Sequence, residues 1–130
     1  MNPFHLIGMP YRLGADPEKH GAVDCLSLAR TVLKTYGIKS PSPTRDWYRR
    51  FRNKDYAIFR EQLKLWGNKT ESLKIGTVGL CKSEEGYGLA VYFENGWLSI
   101  SAELGARWSP IELLQVEEYY YPQKSNFVTS

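Results

Sequence analysis

The chain of 130 residues is poor in the side chains that do most catalysis: His5 and His20 are its only imidazoles, Cys25 and Cys81 its only thiols. Two cysteines this far apart make no disulfide framework, and two histidines beside them supply no ligand cluster for zinc. No metal and no other cofactor is expected. Long apolar runs are missing as well, so no segment has the length needed to span a bilayer, and the opening MNPFHLIGMPYR has no basic stretch followed by an apolar one. The expectation is a protein made in the cytoplasm without an export signal. Repeats and low-complexity segments are also absent.

What is abundant is aromatic surface. Aromatic residues make up 14% of the chain, with nine Tyr and four Trp, and a hydrophobic share of 42% is ample for one core. The length fits a single domain over residues 1–130. The net charge of +3 is unevenly spread: nine basic side chains between Lys39 and Lys69 face only Asp46, Asp55 and Glu61, whereas seven acids between Glu84 and Glu118 face only Arg107. Such a dipole suits docking against charged neighbours.

Apolar spacing predicts the elements. From Asp24 to Tyr36, the residues Cys25, Leu28, Ala29, Val32 and Leu33 recur at helical steps, with Asp24 placed to cap the first turn and Gly37 to end the last. Pro3 to Leu6 reads as a short helical turn, and IKSPSPT from Ile38 as an extended connection. A second helical stretch runs from about Thr44 to Trp66 and stops at Gly67. Beyond Lys74 the period changes to two, and strands are expected at Ile75–Cys81, Gly88–Phe93, Trp97–Ser101 and Val116–Tyr121. Asn95-Gly96 reads as the two-residue turn of a hairpin. The fold class is α+β, with N-terminal helices packed on a small antiparallel sheet.

Cys25 sits where chemistry is favoured, because the partial positive charge and free N–H groups of a helix N-terminus stabilise a thiolate. It also shares a stripe with Leu28 and Val32, and free cysteines are among the most buried residues, so simple packing competes. Cys81, on an alternating strand, reads as a core residue. The wider pattern bears on this choice: GMPYRLG at Gly8–Gly14, then GAVDCLSLAR at Gly21–Arg30, then a helix ending in Tyr36-Gly37-Ile38 with prolines soon after. This resembles the NlpC-type, papain-like cell-wall cysteine peptidases, especially their bacteriophage tail-associated branch. The likeness is specific around Cys25 and looser beyond residue 70, where Gly76–Leu80 resembles the family's first sheet strand, Gly88–Gly96 its hairpin, and Trp108 with Tyr119–Pro122 its closing strands. It implies a papain-like fold with Cys25 at the nucleophile position, Tyr11 in the pocket and Asp24 as the acidic residue before the nucleophile.

Catalysis by such a site needs a base beside the thiol, nearly always histidine. The resemblance places that histidine where this chain has Gly88, and no histidine follows His20. The polar residue that would orient it falls near Ser99–Ser101. Three readings follow. The leading one is a catalytically degenerate domain, with Cys25 a vestige, serving as a structural or adaptor component of a phage tail or baseplate; its partners are other tail proteins, and it is virion-associated after synthesis in the host cytoplasm. The second is an active amidase or endopeptidase cutting peptidoglycan stem peptides, with His20 as a relocated base. The third is a non-catalytic module that binds wall peptide in the old cleft, or nucleic acid through RDWYRRFR at Arg45–Arg52. That segment reads more simply as a solvated basic helix face with Trp47 and Phe51 turned inward, so nucleic acid is not the expected partner.

Overall fold

The computed structural model describes residues 3–83 and 86–127; Glu84 and Glu85, which open the acidic stretch, lie outside the described residues. After a 3-10 turn at Pro3–Leu6 come the short helix α1 (Pro17–His20) and the helix α2 (Cys25–Thr35). Asp24 caps α2 as its spacing predicts: the carboxylate accepts the Ser27 N–H while Ser27 Oγ accepts the Asp24 N–H, so two otherwise unpaired donors are satisfied reciprocally. Gly37 adopts φ 76° just past the last turn, the left-handed conformation that ends many helices. Leu28, Val32 and Leu33 are completely buried. At about 1.5–3 kcal/mol per such side chain, packing rather than intrinsic propensity holds an 11-residue helix in place.

The stretch expected as one helix from Thr44 to Trp66 is two, α3 (Arg45–Arg52) and α4 (Ala57–Trp66). Lys54, at φ 61°, turns the chain between them, and Arg50 closes the corner by pairing with Asp55 at 2.7 Å and Glu61 at 2.7 Å. Trp47 then stacks on Phe51 and meets Phe59 edge-on, so the two helices share one aromatic core.

Six strands follow: β1 (Gly67–Thr70), β2 (Val78–Ser83), β3 (Gly86–Phe93), β4 (Gly96–Ser101), β5 (Gly105–Pro110) and β6 (Val116–Pro122). They form one antiparallel sheet in the order β1-β6-β2-β3-β4-β5, which makes the fold α+β. Two of these strands, β1 and β5, are absent from the sequence expectation, and β2 starts three residues late. The residues before it are spent in a turn in which Gly76 takes φ 103° and Thr77 Oγ1 accepts the Lys74 N–H at 3.2 Å. The β3–β4 hairpin also differs from its prediction. Its two turn residues are Glu94 (φ 52°) and Asn95 (φ 59°), and Gly96 is already in β4, paired with Phe93.

One face of the sheet carries Val78, Leu80, Leu89, Val91, Phe93 and Leu98 into the core, against α2 over β3 and β4 and α4 over β1 and β6. By strand alternation the opposite face carries Tyr92, Trp97 and Tyr119, whose rings touch; Gly79 leaves the room that Trp97 fills.

Candidate functional site

Cys25 is the first residue of α2 and is 8% exposed. The head of α2 meets the sheet beside β3, which pairs with β4 only from Val91 onward and so leaves that flank open to the helix. There the backbone of Leu89 comes beside the Cys25 sulfur, and its N–H acts on the thiol. Cys81 stands next to it on β2, paired in register with Gly88, and a Cβ built on Gly88 would lie 3.7 Å from the Cys81 Sγ. The structure thus gathers Cys25, Cys81, Gly88 and Leu89 at one point, with both cysteines free thiols.

Two tyrosines complete the surroundings. Pro10 and Arg12 hydrogen-bond the backbone of Val23, which forms a short parallel bridge and sets Tyr11 beside the helix head. Tyr48 reaches in from α3, and its hydroxyl comes under the influence of the Asp24 carboxylate. Asp24 itself is 1% exposed. One of its oxygens accepts the Ser27 N–H at 2.7 Å and the other accepts the Gly14 N–H at 2.8 Å, so it fastens the preceding loop to the helix. The sequence points to Tyr11, Asp24 and Cys25 but not to Tyr48, which lies on another helix with no local pattern linking it to them.

The electrostatics oppose ionisation. Burial, and next the charge of Asp24, push the Cys25 thiol well above the ordinary thiol range; the Leu89 N–H pulls the other way and does not compensate. The expectation that the helix head favours a thiolate is therefore corrected, because desolvation outweighs it. Burial likewise raises Cys81, to about 11. Burial raises Tyr11 and Tyr48 first; Cys25 and then Asp24 add to it at Tyr11, and Asp24 adds to it at Tyr48. This is a pocket of neutral donors around one carboxylate.

The strongest influences on the Cys25 thiol, namely burial, Asp24, the Leu89 backbone and Cys81, include no imidazole. His20 is not in a loop leading to the thiol but ends α1, where it is exposed and its Nδ1 accepts the Asp16 N–H at 2.9 Å. Ser101, near the expected orienting residue, accepts the Glu103 and Leu104 N–H groups in the β4–β5 turn, and Ser99 is buried. Among the described residues no three His, Cys, Asp or Glu side chains converge to hold a metal ion, and no helix is long and apolar enough to cross a membrane. On α3, Trp47 is buried, Phe51 is packed against it, Arg50 is committed to Asp55 and Glu61, and Arg49 pairs with Asp46. The aromatic rings of that segment are thus turned away from solvent, where a base would have to stack.

No protein-family model matches the chain, and no curated protein matches its sequence.

Proposed function

We propose that this chain is a papain-like domain of the NlpC type that has lost its catalytic base and serves as a structural or adaptor component of a bacteriophage tail or baseplate. The observation that carries the reading is the contact between Cys25 and β3. The sulfur lies against Leu89, and the neighbouring residue, where the resemblance expects a histidine, is glycine. With the thiol held neutral and no imidazole beside it, neither half of the nucleophile–base pair is in place. Asp24 keeps a purpose without catalysis, because it caps α2 and ties down the loop at Gly14. The segregation of charge along the sequence suits a protein whose work is contact with neighbours.

Two measurements test this reading. The purified chain and its Cys25→Ala variant are incubated with peptidoglycan, and newly exposed amino groups are counted over time. Equal, background-level release is expected from both; release that depends on Cys25 would overturn the proposal in favour of an active amidase. The structural role predicts in addition that the chain is found in purified virions at a fixed stoichiometry to the tail proteins. Its absence from virions would remove that half of the reading.

A further inference from the structure

The far side of α2, turned away from Cys25, lines an open groove of about 520 Å³ between the helix and the segments at Asp16–Glu18 and Gly37–Ser40. Its walls are of opposite charge. Arg30 and Lys34, one turn apart on α2, stand with Lys39 on the connection that follows, while Asp16 and Glu18 lie on the other wall. Arg30 is one of two partly covered arginines among the described residues, and the other, Arg50, engages carboxylates. Arg30 is held instead by two hydroxyls, Nε donating to Ser40 Oγ at 3.4 Å and Nη2 to Ser42 Oγ at 3.1 Å. Among the described residues neither Arg30, Lys34 nor Lys39 forms an ion pair. Hydroxyl anchors fix the direction of the guanidinium without neutralising it, and its charge stays available at the groove that Arg30 lines.

We propose that this groove is a binding site for an acidic peptide segment of a partner protein, whose carboxylates pair with Arg30, Lys34 and Lys39. A fixed guanidinium flanked by two ammonium groups fits planar carboxylates along an extended chain. Pro17, which also lines the groove and is partly exposed, gives apolar contact for the carbon stems of such side chains. Asp16 and Glu18 on the other wall set the direction of the segment, which must turn its carboxylates toward Arg30, Lys34 and Lys39 and away from the acidic wall. The groove lies on the opposite face of α2 from Cys25, so the inference stands whether or not the reading of Cys25 does.

The test titrates the isotopically labelled whole chain with an acetylated, amidated tetraglutamate peptide and, separately, with inorganic phosphate, following backbone amide signals. Saturable shifts centred on Arg30, Thr31, Lys34 and Lys39 are expected with the peptide, with binding weakened about tenfold or more in Arg30→Gln and unchanged in Arg49→Gln. If Arg30→Gln disturbs the fold, the double variant Lys34→Gln and Lys39→Gln, which changes two exposed side chains, should show the same weakening. Shifts that never saturate, or that centre on α3, would overturn the proposal as general attraction to a basic protein. Phosphate binding as tightly as the peptide would overturn the peptide assignment.

Discussion

Replacing Asp24 with alanine separates the scaffold role of that residue from any catalytic one. Two hydrogen bonds end on its carboxylate, from the Ser27 N–H at 2.7 Å and the Gly14 N–H at 2.8 Å, and the Tyr48 hydroxyl stands beside it as a third donor. Loss of the helix cap costs about 1 kcal/mol. Tyr48, half-buried and left without its acceptor, adds about 1 kcal/mol, and the Gly14 bond adds about as much again, its exposed N–H turning to water. The sum of about 3 kcal/mol, at roughly 4 °C per kcal/mol for a chain of this size, lowers the melting temperature by about 12 °C. Asp24→Asn keeps the shape and one acceptor, and should lose about half of that.

Thermal denaturation followed by circular dichroism measures both variants, and the asparagine variant gives a second reading. It removes the charge that ranks next after burial in raising the Cys25 thiol, so iodoacetamide should label Cys25 faster in Asp24→Asn than in the parent, although the fold is weaker by only a few degrees. A drop of less than about 3 °C for Asp24→Ala would refute the argument that this carboxylate organises the helix head, since even one lost cap exceeds it.

Two further outcomes follow from the same site. Gly88→His is sterically admissible, since the added Cβ would stand 3.7 Å from Cys81 Sγ on a backbone outside the left-handed region; an imidazole there should raise Cys81 alkylation at neutral pH by about tenfold or more, and a folded variant without that rise would show that residue 88 does not face the Cys81 sulfur. Alkylation of Cys81, read by peptide mass, should keep climbing with pH up to about 11, whereas a plateau near the ordinary thiol value of about 8.5 would contradict its burial on β2.

Most of the fold was legible where the signal is local. The stripe from Cys25 to Leu33, its cap at Asp24 and its stop at Gly37 are written in adjacent residues, and α2 has those bounds within a residue or two. The break between α3 and α4 was also readable: the five-residue step from Phe51 to Tyr56 does not fit the helical spacing that joins Trp47 to Phe51 and Phe59 to Leu63. So was α1, since Asp16-Pro17-Glu18 is a capping residue followed by proline at the first helical position. The hairpin turn was not. Gly96 is required in β4 because a Cβ there would strike the Ser109 carbonyl and come within 2.5 Å of the Trp108 ring. That demand comes from β5, a strand with weak alternation of its own, so the turn shifted by one residue onto Glu94 and Asn95. Tyr48 was hidden for the same reason, because it reaches Asp24 only through tertiary packing.

Position at a helix head does not by itself make a cysteine reactive. The field of a helix N-terminus is worth about 2 kcal/mol at best, a factor of about thirty in the balance between thiol and thiolate. Around Cys25 that advantage is set against near-complete burial and the charge of Asp24 one residue away. A papain-like site wins the same contest because a neighbouring imidazolium replaces the water lost on burial and cancels the carboxylate. Without an imidazole, burial and a neighbouring carboxylate act the other way. Burial now keeps the thiol protonated, and the acid that caps the helix repels the charge the thiol would need. Around Cys25, the cap of Asp24 and near-complete burial therefore describe a stable helix head and a thiol held toward its neutral form.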